Sequence, residues 1–321
     1  MMAKDTVRLA LVGAGGMANS VHYPSLAEMD DVEMVGLCDL VEEKLNETAD
    51  TFEIENRYTN YKKMLEETDP DGVYILMPPH HLFDLVIHSL NEKLHVFIEK
   101  PPGITAEQTR QMANLAEKNG CLTMVGFNRR FIPAFRRCRN MVRDEGPMNQ
   151  CVSTFYKYHA AGPYYDGATD ILSCDAVHAV DALRFMGGDV EKVVSSVRDL
   201  GMDFDTSFTA LCEFESGAVG VLLANWQTGA REHTFELHGA GISAFVNLDE
   251  EVIINRNNER RDEVFTAQEA ADSDERHHFY GFFGENRHFV DCIQNNQEPE
   301  TCLRDAVKTM ELVDRIYHNP M

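Results

Sequence analysis

Positive charge is scarce in this sequence. It holds 29 lysines and arginines against 53 aspartates and glutamates, a formal net charge of −24 with a pI near 4.8. A surface that acidic repels nucleic acid and anionic membranes, so neither is an expected partner. Apolar runs are short, and none is long enough to span a bilayer. Internal repeats and low-complexity tracts are absent. The 8 cysteines are Cys38, Cys121, Cys138, Cys151, Cys174, Cys212, Cys292 and Cys302, and none forms a C-x-x-C pair. That pattern suits reduced, mostly buried thiols and a cytoplasmic location, not a disulfide framework or a zinc site. The first strand begins almost at once, which leaves no room for a signal peptide. His277, His278 and the other histidines lack a metal-binding spacing, so no metal is assigned.

What remains is an ordinary globular composition, 44% hydrophobic and 26% charged, in a chain of 321 residues. That length allows two domains with full cores. The most informative stretch is Val7 to Ala18. Val7 to Val12 reads as a strand covered on both faces, and Gly13-Ala14-Gly15-Gly16-Met17-Ala18 as a turn that opens a helix. Gly13 permits a sharp turn, Gly15 lets a pyrophosphate approach the backbone, and Ala18 keeps helix and strand close. The free N–H groups at the helix start suit phosphate. A second strand, Glu33 to Cys38, ends in Asp39. Ala18 to Asp39 is 21 residues, near the roughly 20 expected between the glycine fingerprint and a ribose-binding acid. An acid there accepts from the ribose hydroxyls and repels a 2′-phosphate, which favours NAD over NADP. The competing reading is a glycine turn in some other α/β unit.

Further along, Asn19 to Met29, Val41 to Thr51, Tyr61 to Glu67 and Leu82 to Leu90 read as helices. Val73 to Met77, His95 to Glu99 and Leu122 to Val125 read as strands. Thr105-Ala106-Glu107-Gln108 fits a capping box for a helix ending near Asn119, with Gly120 beyond it. This alternation predicts a doubly wound parallel sheet over residues 1–126. Past Gly126 the pattern changes. Pro133 to Arg143 reads as a helix. Long strands follow at Gln150 to Tyr158, Lys192 to Leu200, Ser207 to Phe214, Ala218 to Gln227, Thr234 to Gly239 and Ser243 to Asn247. One helix, about Cys174 to Met186, interrupts them. Residues 255–276 are polar and read as loops or a short helix, and Glu285 to Gln294 and Leu303 to Ile316 close the chain as helices. Residues 127–321 are therefore expected to form an α+β domain on an open, mostly antiparallel sheet.

Two places could carry chemistry. Glu99-Lys100-Pro101-Pro102 lies at the C-terminal end of a parallel strand, the edge where such sheets bind ligands. A lysine there can donate to a substrate oxygen, although a solvated surface lysine is the commoner case. In Cys174-Asp175-Ala176-Val177-His178-Ala179-Val180-Asp181, the residues Asp175, His178 and Asp181 would share a helical face. A histidine between acids can be a general base, or the cluster can simply hold the helix in place. Tyr156, Tyr158, His159, Tyr164, Tyr165 and Trp226 offer aromatic faces suited to a sugar ring, though packing is the commoner use of any one of them.

The glycine turn, Asp39, Glu99-Lys100-Pro101, Gly126-Phe127-Asn128-Arg129-Arg130-Phe131 and the later histidine helix together resemble the Gfo/Idh/MocA family, that of glucose–fructose oxidoreductase and inositol dehydrogenase. The resemblance implies an N-terminal Rossmann domain, a nicotinamide cofactor, and a sugar, polyol or sugar derivative as substrate. It implies Lys100 beside the nicotinamide, His178 as active-site base, and Pro101 shaping the turn through a cis bond. The implied cofactor-binding set is Gly13, Gly15, Gly16, Met17, Asp39, Pro78, His81, Glu99, Lys100 and Asn128. The implied substrate set is Lys100, Arg129, Tyr156, Asp175 and His178, with Asp175 tuning the histidine. Two positions depart from the family pattern. The aspartate expected four residues before the histidine is Cys174 here, with Asp175 shifted by one. The histidine expected after the fourth strand is Leu82, with His80 and His81 just before it. In relatives the C-terminal sheet often packs on a second subunit, so a homodimer or homotetramer through that sheet is expected. Net oxidation of a hydroxyl carbon is the leading activity. Retained cofactor with epimerisation, elimination or glycoside cleavage is an alternative, as is a non-catalytic NAD-binding regulator.

Overall fold

The computed structural model describes residues 6–319. They divide into two compact units. The first runs to Phe127 and includes Phe282–Val307; the second comprises Asn128–Gly281 and the chain from Lys308.

The first unit is built on six parallel strands: β1 Val7–Val12, β2 Val32–Cys38, β3 Arg57–Tyr58, β4 Gly72–Ile75, β5 His95–Ile98 and β6 Thr123–Val125. Their order is β3-β2-β1-β4-β5-β6, all parallel. The strand order reverses between β1 and β4, and in open α/β sheets ligands bind beyond the carboxyl ends at such a point. Between the strands lie α1 Tyr23–Ala27, α2 Glu42–Thr51, α3 Tyr61–Thr68, α4 Leu82–Asn91 and α5 Ala106–Asn119. The first helix is not the regular α-helix expected over Asn19 to Met29. A wide turn with i→i+5 bonding spans Ala18–His22, and α1 follows with Pro24 in its first turn. Proline has no N–H to close an ordinary α turn on Ser20, so the ladder shifts there. At α5 the Thr105 hydroxyl caps the Gln108 N–H as predicted, but the Gln108 side chain reaches back to the Ile104 N–H. Gly120 closes that helix at φ 68°.

In the second unit α6 Pro133–Glu145 precedes β7 Met148–Tyr158. A wide turn over Leu172–Ala176 leads into α7 Val177–Gly187. Strands β8 Val190–Arg198, β9 Ser207–Phe214, β10 Val219–Asn225, β11 Gln227–Gly239, β12 Ile242–Asn247, β13 Val252–Arg256 and β14 Glu259–Phe265 complete the sheet. Its order is β14-β13-β12-β11-β7-β10-β9-β8. The β10–β7 pair is parallel; the others are antiparallel. The polar stretch read as loop over 255–276 is in fact the edge hairpin β13–β14 followed by a short helix, α8 Ala267–Ala271. Asn257 and Asn258 both take positive φ, 50° and 69°, which is what a two-residue hairpin turn requires. Charged residues dominate β14 because an edge strand facing water resists further pairing that way.

Alternation along these strands makes two unlike faces. Val193, Cys212, Cys151, Leu237, Ala244 and Ile254 are buried, on the side where α6 and α7 pack. The other face, which carries Val194, Leu211 and Val264, is the more exposed one. After α9 Arg276–Phe279, the last helices are α10 Phe282–Asn295 and α11 Leu303–His318. The sequence reading put everything past 126 in the second domain, whereas α10 packs within the first unit against α1, β1 and the wide turn. Phe289 sits 5.8 Å from both Tyr74 and Phe97, and Arg287 pairs with Asp31 at 2.6 Å. All 8 cysteines are free and buried. Burial pushes the thiols of Cys138, Cys151 and Cys212 up to about 12. No described helix is long and apolar enough to cross a membrane.

Candidate functional site

In the first unit the predicted residues gather at the carboxyl ends of the parallel strands. Gly13 follows β1 at φ 107°, and a Cβ there would lie 2.6 Å from the Leu76 carbonyl oxygen. No L side chain fits that position. The Tyr23 hydroxyl donates to the Gly13 carbonyl at 2.5 Å. Burial and the nearby Asp39 charge hold that phenol protonated, well above its ordinary range. Asp39, at the end of β2, accepts from the Ala14 N–H at 2.7 Å and from the Val41 N–H at 2.8 Å. It therefore closes the glycine turn as well as presenting a carboxylate to it. At Gly15 and Gly16 a Cβ would meet nothing within 4 Å, and Met17 beside them is exposed. The turn thus offers bare backbone and open space where a pyrophosphate would need both, so these residues fit a dinucleotide. Pro78 and the exposed His81 follow β4, with the His80 and His81 rings 4.0 Å apart.

Glu99 and Lys100 follow β5, and the Lys100–Pro101 bond is cis, as expected. The carboxylate of Glu99, one of the expected cofactor-site residues, is buried and engaged: Oε1 accepts from His22 Nε2 at 2.8 Å and Oε2 from the Lys100 backbone N–H at 3.0 Å. Burial opposes its charge, but the His22 hydrogen bond and the His22 and Lys100 charges outweigh burial and hold its carboxyl below the usual range. His22 was not singled out from the sequence, because nothing local marks a histidine inside a helix as inward-facing.

In the second unit His178 lies on α7 and is 3% exposed. Its Nε2 is 3.0 Å from Arg129 Nη1. A guanidinium only donates, so Nε2 is the acceptor and the neutral ring carries its proton on Nδ1. Asn128 is fully buried, donating to the Tyr280 carbonyl at 2.9 Å and accepting from Arg129 at 2.7 Å. Its amide is thus committed to fixing the Arg129–His178 contact. The three residues expected on one helical face have separate partners. Asp175 sits in the wide turn before α7, where its carboxylate accepts from Lys157 Nζ and, at 2.9 Å, from the Tyr164 hydroxyl. Asp181 pairs with Arg130 through both oxygens, at 2.6 and 2.8 Å.

Tyr156, predicted to touch substrate, lies on the opposite face of β7 from Asp175's partner. Cys151, Ser153 and Phe155 point inward, so by strand parity Lys157 points inward too and Tyr156 outward. Lys157 is the residue the sequence reading missed, and its signal was that parity. Around Asp175, Trp226 Nε1 donates to the Tyr164 hydroxyl at 3.1 Å, and His159 stacks on Tyr164 with centroids 5.0 Å apart. Tyr158 and Tyr165 are exposed. Behind them the buried His233 stacks on Phe155 at 4.1 Å. Burial, then the charges of Arg129, Arg231 and Lys157, hold His233 well below the usual imidazole range, so it is neutral.

This geometry agrees with comparisons to known proteins. The profile described as "Oxidoreductase family, NAD-binding Rossmann fold" matches residues 7–127, and "GFO/IDH/MocA C-terminal domain" matches residues 164–244. The chain belongs to the Gfo/Idh/MocA oxidoreductase family. Its first unit is the NAD-binding Rossmann fold. The chain is 26% identical over 329 residues to D-apiose dehydrogenase of Paraburkholderia graminis, covering 96% of this chain and 86% of that one. It is 27% identical over 227 residues to myo-inositol 2-dehydrogenase of Thermotoga maritima, covering 67% of each. A levoglucosan dehydrogenase solved with NADH and levoglucosan superposes with a TM-score of 0.84 at 19% identity, over 98% of this chain and 96% of that one. At that identity the likeness speaks for the fold.

Proposed function

We propose that this protein is an NAD-dependent dehydrogenase acting on a CH–OH carbon of a sugar, polyol or sugar derivative. The observation that carries the reading is the sheet edge of the first unit. An open glycine turn, an acid closing it and a lysine anchored by a buried carboxylate stand there at the ends of β1, β2 and β5. Relatives named as dehydrogenases of apiose and myo-inositol support the substrate class.

Gly13, Gly15, Gly16 and Asp39 would hold the dinucleotide, with Met17, Pro78 and His81 beside it. The nicotinamide, when bound, accepts a hydride from the carbon being oxidised. His178 takes the hydroxyl proton at Nε2, whose one lone pair the Arg129 guanidinium gives up as the substrate hydroxyl takes its place. Lys100 donates from Nζ to the same oxygen and stabilises the charge that builds on it as the C=O bond forms. Arg129 positions the histidine. Asp175, Lys157 and Tyr164 bind the hydroxyls that do not react.

A panel of sugars and polyols, run with NAD and NADP in parallel and read at the reduced-nicotinamide absorbance, tests this. NAD should be preferred by at least ~10-fold in kcat/KM, about 1.4 kcal/mol. Asp39→Asn keeps an acceptor for the Ala14 N–H but loses the charge that repels a 2′-phosphate, so it should narrow that preference. A wild-type preference for NADP, or no reduced cofactor with any polyol, would defeat the proposal.

The same chain is proposed to form a homodimer or homotetramer through the more exposed face of its eight-stranded sheet. Val194, Leu211, Val221, Val152, Glu236, Phe245, Ile253 and Val264 stand in register across all eight strands of that face. Only Glu236 is polar, and Val194 and Leu211 are 42% and 48% exposed. A contiguous apolar band of that kind marks a binding surface. Leu211→Glu should shift the sedimentation coefficient to that of a monomer. Wild-type protein that already sediments as a monomer would remove the idea.

A further inference from the structure

We propose that His22 is a positioning residue for Lys100, acting through Glu99. It ties the helix that opens at the glycine turn to the lysine that meets the substrate. The proposal rests on the role given to Lys100 above.

The chain of contacts can be followed donor by donor. Asn286 Nδ2 donates to the Phe282 carbonyl at 2.7 Å. A carbonyl can only accept, so this contact fixes which end of the amide is nitrogen. Its second N–H then points to His22 Nδ1 at 3.2 Å. Whether Nδ1 accepts from that amide nitrogen in the neutral ring or donates to the amide oxygen at 3.4 Å in the charged one, Nε2 carries a proton, and it donates to Glu99 Oε1 at 2.8 Å. The other Glu99 oxygen accepts from the Lys100 backbone N–H at 3.0 Å. Each atom along this path has the partner its chemistry needs.

The ring has little freedom to leave. His22 is 0% exposed, and edges of Tyr74, Phe97 and Phe282 surround it with centroids 6.4, 5.3 and 5.8 Å away. Packing alone does not explain a histidine, an asparagine and a carboxylate in an aromatic cage. Apolar side chains of the same shape would fill the space without desolvating a charge. What the polar set adds is direction: it aims a carboxylate at one backbone N–H, that of Lys100. His22 is also the last residue of the wide turn Ala18–His22, which begins where the glycine turn ends. One hydrogen bond therefore sets the lysine against the element that would cradle the cofactor phosphates. A misplacement of about 1 Å in such a group lowers turnover by ~10²-fold.

The test compares His22→Phe, which fills the cage without a donor, with His22→Gln, whose amide restores one. The first readout needs neither substrate nor cofactor. Hydrogen exchange at the Lys100 amide should speed by ~10-fold in His22→Phe, while the β5 amides of Phe97 and Ile98 change by less than about twofold. In steady-state assays with the best polyol, kcat of His22→Phe should fall ~10–100-fold with KM for NAD within about threefold, and His22→Gln should recover most of the loss. If His22→Phe does not fold, Asn286→Leu breaks the next link and should move both readouts the same way. Unchanged Lys100 exchange in a folded variant overturns the proposal, as does wild-type kcat in His22→Phe or no recovery in His22→Gln. A loss confined to NAD affinity would make His22 part of the cofactor cradle and overturn it too. A wild-type chain inactive on every polyol would defeat the dehydrogenase reading, while the exchange result still decides whether His22 holds the Lys100 backbone.

Discussion

Replacing Lys100 by methionine is expected to lower kcat by ~10³-fold, with NAD affinity changed by less than about threefold. Methionine keeps the unbranched stem and removes the ammonium, so the main chain after β5 should hold its place through Glu99. What is lost is a donor whose bond strengthens as the substrate oxygen gains negative charge. An interaction made mainly in the transition state shows in kcat, not in KM. Lys100→Arg should recover little, because a planar fork does not occupy the site of a point charge on a flexible stem. Calorimetric NAD titration and steady-state kinetics on the same preparations measure both quantities. A folded Lys100→Met variant within tenfold of wild type would remove Lys100 from the chemistry and favour a regulator that binds NAD without turning over.

The features legible in the sequence are those whose cause is local. Gly13 could be read because a sharp turn beside Leu76 leaves no room for a side chain, and a missing side chain is visible in one letter. Asp39 could be read because strand length and helix length together set its spacing. The parallel order followed from alternating strands and helices, whereas the cis bond before Pro101 was implied by the family resemblance alone. Residues whose role is set by a distant partner could not be read. His22 and Asn286 are 264 positions apart, and only the return of α10 to the first unit joins them. Lys157 and Tyr156 are adjacent, yet strand parity sends them to opposite faces. The aromatics of Tyr156 to Tyr165 are evident by residue type, whereas the inward direction of Lys157 is set by strand parity alone. The β13–β14 hairpin was hidden for a different reason: its outer strand is charged because it is an edge, and charge reads as loop. The Asn257-Asn258 pair was the local sign of the turn.

Asp181→Ala is expected to destabilise the second unit by ~3–5 kcal/mol, far more than a typical surface change. The Asp181 side chain is 1% exposed and that of Arg130 8%. The two meet through a paired contact, and Asp181 also accepts from the Thr309 hydroxyl at 2.9 Å. That hydroxyl in turn accepts from Arg184 at 2.7 Å. Truncating Asp181 takes from a buried guanidinium the carboxylate it meets through both oxygens and removes the acceptor that Thr309 needs. The large effect therefore comes from what is left behind, and this predicts a second result. Arg130→Leu combined with Asp181→Leu removes both charges together, so it should recover most of the loss, since a buried pair is often replaceable by apolar side chains of similar volume. Urea unfolding at constant m-value measures both variants. A loss under about 1 kcal/mol in Asp181→Ala would show that water or another donor set replaces the pair. Activity separates the roles along α7. His178 stands one turn before Asp181 and keeps its own contact with Arg129. A double variant that is folded and turns over normally would make Asp181 structural and leave the proton chemistry to His178.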